Sequence, residues 1–314
     1  MFEPEQCAGV VKMLLERQEV NPNKSDNESR TPLSYAVQYR YVEVAKMLLG
    51  CEKITPDKPD NMGRTPLSYA AVDGDGEMVK VLLAHEDVNP DKPDNKGRTP
   101  LSYAAEGRYG SGFRKCTAVV KILLGREEVN PDGLDNEGRT PLSYAVMKGR
   151  VGIGKMLLER KEVDPNRPDD TGWTQLSYAT SKGHTSCVTI LLGHGDVNPD
   201  KADSTGRTPL SYAAGNAYGE VVKVLLEGGE VNPDRPDDDR TLLSYATEGG
   251  YLYEAKMSTK VAKILLKQEE VYPGKPDNKG RTPLIYAAFK GYDEVVEMLL
   301  GWEEVNPNEQ DIEG

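Results

Sequence analysis

A threonine returns along the chain at a nearly constant interval, and this repetition constrains the fold more than any other feature. Successive threonines of the series are 34, 34, 41, 34, 34, 33 and 41 residues apart. They are Thr31, Thr65, Thr99, Thr140, Thr174, Thr208, Thr241 and Thr282, and they number the copies 1 to 8. A chain built from copies of one short unit buries its apolar surface by stacking neighbouring units, not around a single globular core.

Each copy begins with a pattern that predicts a short first helix, called here the A helix. In copy 2, Thr65 is a good N-cap, and Pro66 at the first helical position gives up only an N–H that would be unpaired anyway. Leu67, Ala70 and Ala71 follow at helical spacing. Such a narrow stripe of small apolar groups allows neighbouring helices to approach closely.

A second apolar stripe predicts a B helix in every copy. In copy 2, a turn at Gly74 leads to Val79, Leu82 and Leu83. The sequence Val-Asn-Pro at 88–90 then ends the helix, because proline forbids its continuation. Each unit is therefore helix, turn, helix and protruding turn, and neither helix can bury its stripe without a neighbouring unit.

The consensus Arg-Thr-Pro-Leu-Ser-Tyr-Ala resembles the ankyrin family, whose repeat of about 33 residues carries a T-P-L-H-x-A signature. With its Val-Asn-Pro-Asp turn, it is similar to ankyrin arrays of filamentous fungi. The resemblance implies an all-α fold, an ankyrin-repeat solenoid of stacked helix-turn-helix units with protruding turns. Serine stands at the histidine position in seven copies, so a hydrogen bond of that histidine does not carry over unchanged.

The repeat pattern divides the chain into three parts. Residues 1–25 hold a half repeat, with a B helix and its turn only, and residues 26–310 hold eight repeats. Residues 311–314 resemble the start of a further repeat, so we expect either a segment of a longer array or a product that ends at a repeat boundary.

Copies 3 and 7 carry seven extra residues each, at about 106–118 and 248–260. Seven residues are two helical turns, so the inserts can lengthen a helix without turning its apolar stripe out of phase. Because the inserts lie four copies apart, either a block of four copies was duplicated or one tolerant turn received two independent insertions.

The inserts supply the first candidate binding residues. Aromatic and arginine side chains, which are enriched at binding hot spots, are concentrated there. The candidates are Arg108, Tyr109, Phe113, Arg114, Tyr251 and Tyr253. Packing of the extra helical turns against adjacent repeats is the alternative explanation.

Trp173 is a further candidate, because it replaces the arginine that precedes the threonine in the other seven copies. It is either an anchor for a partner or a cover for the adjacent turn.

The arginine that precedes the threonine has an aspartate four residues before it, as Arg64 has Asp60, and this aspartate is present in seven copies. We expect the arginines to pair with the aspartates of neighbouring copies in a ladder.

A tyrosine column and the ends of the A helices complete the candidate site. Every copy has a tyrosine four residues after its threonine, beside the apolar stripe. Tyrosine suits recognition surfaces, although stacking between repeats would explain the column equally well. The candidates here are Tyr144, Tyr178 and Tyr212 in the column, with Lys148 and Lys182 where the copies differ.

Composition narrows the functional classes. The net charge of −12 opposes nonspecific attraction to nucleic acid or anionic lipid, and no apolar run is long enough to span a bilayer. Four scattered cysteines indicate free thiols, so we expect a cytoplasmic or nuclear protein. No nucleotide-binding loop, nucleophile elbow or metal-ligand spacing is present, and three histidines fall in unrelated turns.

These patterns predict a non-catalytic scaffold, without a cofactor or a metal site, that binds another protein along its concave face and helical inserts. We expect a monomer with neither nucleic acid nor membrane as partner. The alternative is a small-molecule-binding protein or an enzyme with a pocket in the concave groove.

Overall fold

The computed structural model describes residues 4–107, 113–228, 230–234, 240–248 and 255–312, whose regular structure is helical. In copy order, even-numbered helices are A helices and odd-numbered ones are B helices. The helices are α1 (Pro4–Leu15), α2 (Pro32–Gln38), α3 (Val42–Leu49), α4 (Pro66–Val72), α5 (Gly76–Leu83), α6 (Pro100–Glu106), α7 (Phe113–Leu124), α8 (Pro141–Met147), α9 (Val151–Leu158), α10 (Gln175–Ser181), α11 (Thr185–Leu192), α12 (Pro209–Gly215), α13 (Gly219–Gly228), α14 (Leu242–Glu248), α15 (Ala255–Leu265), α16 (Pro283–Lys290) and α17 (Asp293–Leu300). None of these helices has the length and apolar character needed to cross a bilayer.

The chain divides into two compact units, Met1–Val163 and Asp164–Gly314. The first contains α1 and copies 1–4, and the second contains copies 5–8. Within each unit, A helices pack on the A helices of adjacent copies, and B helices pack on B helices. The boundary between the units lies where the sequence suggested that a block of four copies had been duplicated.

The A helices begin where the threonines predict. Thr65 Oγ1 accepts the backbone N–H of Ser68 at 3.3 Å, and the two hydroxyl oxygens lie 3.2 Å apart. In copy 1 the Ser34 hydroxyl also accepts the N–H of Thr31, which closes a reciprocal capping box. The serine that replaces the family histidine therefore belongs to the cap of its own helix.

The alanine stripe is the core of the A layer. The first alanine of the pair is between 0% and 2% exposed in all eight copies. These residues are Ala36, Ala70, Ala104, Ala145, Ala179, Ala213, Ala246 and Ala287. A larger side chain at this position would meet the neighbouring A helix, so the close stacking explains why the residue never varies.

The inserted residues of copies 3 and 7 lengthen the B helices in part. α7 has 12 residues and α15 has 11, whereas α5 has eight. Cys116, Val119 and Leu123 of α7 are all fully buried. The apolar stripe of the longer helix therefore stays in phase with the adjacent B helices, as expected for an addition of whole turns.

Candidate functional site

One carboxylate organises the protruding loop in seven of the eight copies. In copy 2, Asp60 Oδ1 accepts the backbone N–H groups of Met62 and Arg64 at 2.8 and 2.9 Å. Asp60 Oδ2 accepts the Tyr69 hydroxyl at 2.6 Å and the Arg64 Nε–H at 2.9 Å. This arrangement ties the loop to the A helix that follows it.

The tyrosine-to-aspartate hydrogen bond recurs in seven copies. Each hydroxyl donates to the carboxylate nine residues earlier. The pairs are Tyr35–Asp26, Tyr69–Asp60, Tyr103–Asp94, Tyr144–Asp135, Tyr178–Asp169, Tyr212–Asp203 and Tyr286–Asp277. The hydroxyl groups of the tyrosine column thus hold the protruding loops against the A helices.

The prediction that the arginines pair with aspartates of neighbouring copies was wrong. Arg64 and Arg139 instead pair with Asp60 and Asp135 of their own copies, at 2.8 and 2.9 Å. The reason is local, because the tight turn brings residues four apart in the chain onto the same carboxylate.

Arginines link neighbouring copies through tyrosine rings. The Arg98 guanidinium lies 4.1 Å from the ring centre of Tyr103 in its own copy and 4.3 Å from that of Tyr144 in the next. Arg207 likewise lies 4.9 Å from the ring of Tyr245 in the following copy. A cation over an aromatic face is attractive, so these contacts stabilise the stack.

Hydrogen bonding and burial shift the pKa values of the column. The Tyr35 hydroxyl, which donates to Asp26, is the main cause that lowers the pKa of that carboxyl to about 2. Burial, reinforced by the hydrogen bond to Asp60, raises the pKa of Tyr69 to about 12. At neutral pH Asp26 is therefore charged and Tyr69 is protonated, which are the forms that the hydrogen bond needs.

Trp173 occupies in copy 5 the position that arginine holds elsewhere. Its ring centre lies 5.2 Å from that of Tyr178 and 4.5 Å from that of Tyr212 in the next copy. Asp169 accepts the Tyr178 hydroxyl and, at 2.7 Å, the Thr171 hydroxyl. Among the described residues of the second unit, no lysine or arginine forms an ion pair with the Asp169 carboxylate, which accepts only hydroxyl and backbone N–H donors there.

The ends of the A helices carry the charges that differ between copies. Glu106 accepts from Arg98 at 2.5 Å and lies 3.3 Å from Lys148 of the next copy. Arg240 and Glu248 form the corresponding ion pair in copy 7. This shared pairing in the two insert-bearing copies fits the duplication of a four-copy block.

The predicted site residues differ in accessibility. Tyr144 is only 4% exposed, beneath Arg98 and Arg139, so its ring offers a partner very little surface. Tyr178, Tyr212, Trp173 and Lys148 are half-buried, and Lys182 is exposed. Phe113 and Arg114 begin α7, but their side chains lie outside the described part of the structure. Arg108, Tyr109, Tyr251 and Tyr253 lie outside the described residues altogether.

Sequence reasoning missed a second set of links between copies, in the Pro-Asp turns. Asp57 Oδ2 accepts the backbone N–H of Asn89 in the following copy at 2.7 Å. Lys92 Nζ donates back to the Asp57 carbonyl oxygen at 2.9 Å. The recurring Pro-Asp-Lys triplet was the available signal. Burial is the main cause that raises the pKa of Asp57.

An apolar cavity of about 310 Å³ lies between α1, α2 and α3. Val11, Leu15, Tyr35 and Leu48 are among its lining residues. No cluster of three or more histidine, cysteine, aspartate or glutamate side chains suited to a metal ion occurs in the described part of the chain.

Matches to known proteins extend over most of the chain. The family model described as ankyrin repeats (3 copies) matches residues 5–60, 51–114, 111–169, 155–237 and 230–311. The crystal structure of human ASB11 ankyrin repeat domain is similar, with 25% identity and a TM-score of 0.62 over 75% of this chain and 98% of that one. No curated protein matches the sequence.

Proposed function

The chain belongs to the ankyrin-repeat family, and we propose that it is a non-catalytic scaffold that binds another protein. Ankyrin repeats are generally protein–protein interaction modules. The proposed binding surface consists of the protruding loops and the exposed ends of the A helices, called here the A face.

The observation that carries this proposal is the contrast between constant and variable positions. In copies 1, 2, 4 and 8 the recurring aspartate contacts both the arginine and the tyrosine of its copy, as Asp60 contacts Arg64 and Tyr69. The threonine and serine of the cap bond to each other in the same way. Fold stability therefore explains why these residues recur in the copies.

The variable positions lie directly beside this fixed framework. One helical turn after the tyrosine, copy 1 has Tyr39, copy 5 has Lys182 and copy 6 has Asn216, and all three are exposed. Different side chains on a rigid backbone are what selective recognition needs, because little ordering entropy is lost on binding. The A face has this property in both units.

Site-specific cross-linking tests the proposal. A photoreactive residue replaces Lys182 at the end of α10, and a matched variant carries it at Thr189, which is exposed on B helix α11 of the same copy. In lysate of the source cells, we expect a discrete protein adduct from position 182 and none from position 189. Equal adducts from both positions, or none from either, would contradict binding at the A face.

A small-molecule function has one observation in its favour, the apolar cavity between α1, α2 and α3. Its volume is near the lower end of the range for ligand pockets, about 300–1,000 Å³. Native mass spectrometry of the chain purified from its source cells tests this second function. A stoichiometric bound metabolite would support it, and the unliganded mass would argue against it.

A further inference from the structure

We propose that the partner presents a basic segment and that one of its arginine side chains stacks on Trp173 beside Asp169. The inference rests on the proposed function, because it names the chemistry that the A face recognises in the second unit.

The arginine column shows which chemistry this position suits. In copy 3, the Arg98 guanidinium lies 4.1 and 4.3 Å from two successive tyrosine rings. In copy 5, the Trp173 indole takes the corresponding place against Tyr178 and Tyr212. The chain thus replaces its own cation with tryptophan, the aromatic side chain that attracts cations best.

The substitution also changes the local charge. In copy 2, Arg64 pairs with Asp60 and compensates its charge. In copy 5 the equivalent Asp169 has hydroxyl and backbone N–H donors, but no lysine or arginine described in the second unit pairs with it. Asp170 is exposed next to it. A negative site therefore lies beside the indole, and a cation supplied from outside would complement it.

The nearest arginine of the next copy is engaged elsewhere. Arg207 lies 5.7 Å from the Tyr212 ring, but its Nε–H donates to the Tyr245 hydroxyl at 3.1 Å and its guanidinium stacks at 4.9 Å on that ring. It is thus held toward copy 7, whereas Trp173 contacts the tyrosines of copies 5 and 6. Trp173 itself is half-buried, so part of the indole faces solvent.

Arginine fits this place better than lysine. Its planar guanidinium can stack on the indole and at the same time direct N–H groups at a carboxylate. The net charge of −12 further favours a basic partner by drawing it toward the chain. Packing of Trp173 against the adjacent turn, without any role in binding, is the competing explanation.

The test uses three fluorescein-labelled nine-residue peptides of glycine and serine with three arginines, three lysines or three citrullines, the neutral analogue of arginine. Affinity is measured by anisotropy for the full chain at low salt. We expect the arginine peptide to bind most tightly, followed by the lysine and then the citrulline peptide. Trp173→Leu leaves the charge unchanged and should weaken binding of the arginine peptide about tenfold.

Two further variants keep the test decisive. Trp302→Leu removes the other tryptophan, which is 39% exposed, and should leave the affinity unchanged. Trp173→Arg introduces the residue that the other seven copies have, so this variant should fold. It should weaken binding of the arginine peptide at least as much as Trp173→Leu does.

Equal affinity for the arginine and citrulline peptides, or an unchanged affinity in both Trp173 variants, would overturn the arginine site. Neither result would alter the cross-linking pattern at positions 182 and 189. Failure of this inference and failure of the proposed function can therefore be told apart.

Discussion

The Tyr69 hydroxyl donates a 2.6 Å hydrogen bond to Asp60, nine residues earlier, and the same bond recurs along the stack. Asp60 is only 6% exposed, so loss of the hydroxyl would leave a buried charge with one donor fewer. Tyr69→Phe should lower the free energy of unfolding by about 1.5–3 kcal/mol, the usual contribution of a hydrogen bond to a charged group. Urea denaturation measures this change.

The matched control for that variant is Tyr272→Phe. Tyr272 is 58% exposed, so removing its hydroxyl should change the stability by less than about 0.5 kcal/mol. Equal effects of the two substitutions would show that the hydroxyl-to-aspartate bond adds no stability.

Asp57 provides a substitution that should stabilise the chain. The Asp57 carboxylate is buried, its Oδ1 has no hydrogen-bond partner, and burial raises its pKa. Asn166 at the equivalent position accepts the Asn198 N–H at 2.7 Å and donates to the Asp196 carbonyl at 2.5 Å. Asp57→Asn should therefore raise the free energy of unfolding by about 0.5–1.5 kcal/mol at pH 7.

The pH dependence of that gain identifies its cause. Since the folded-state pKa of Asp57 is raised, its charged form opposes folding at neutral pH, and this penalty disappears as the carboxyl becomes protonated. The advantage of Asp57→Asn in urea denaturation should shrink between pH 7 and pH values below that of a free aspartate. A constant advantage would contradict this explanation.

Gly63 and Gly152 should respond oppositely to alanine. Gly63 has φ of +82°, and an added Cβ would lie 2.4 Å from the Asn95 backbone nitrogen. Gly152 lies in α9, with nothing within 4 Å of an added Cβ. Gly63→Ala should lower the melting temperature, whereas Gly152→Ala should stabilise the chain by about 0.5–1 kcal/mol. The same direction of change in both variants would refute the proposed loop contact.

From the hydrogen bonds between the tyrosines and the loop aspartates, we expect the folded chain to lose stability at both extremes of pH. Asp26, with a folded-state pKa of about 2, contributes stability above the unfolded value near 3.9, and this is lost as the pH falls through about 2. Tyr69, raised to about 12, contributes stability below the unfolded value near 10, which is lost as the pH rises through about 12. Circular dichroism across pH 1.5–12.5 should show this, and Tyr69→Phe should weaken the alkaline loss.

The sequence predicted the parts of the fold that depend on local pattern. Thr65 and Pro66 indicated the start of an A helix, and the spacing of Ala70 indicated its buried face. The bond between Tyr69 and Asp60 was not predicted, because the loop geometry that brings residues nine apart together is not a periodic signal. For the same reason Arg64 was assigned to the wrong copy.

The candidate site was less predictable than the fold. Trp173 stood out in the sequence as an exception, but its contact with Tyr212 of the next copy depends on how the loops stack. Tyr144 was expected at a binding surface, yet the guanidinium groups of Arg98 and Arg139 cover its ring. Residue type alone did not distinguish a covered tyrosine from an accessible one.

The most direct test compares two double variants of the second unit in their affinity for the partner. The partner is the protein that the photoreactive residue at position 182 captures. Lys182→Ala with Asn216→Ala changes the A face, and Thr189→Ala with Lys223→Ala changes the B helices α11 and α13. Calorimetric titration should show at least about a tenfold loss of affinity for the first pair and little change for the second. An equal loss in both, or a larger loss for the B-helix pair, would contradict binding through the A face.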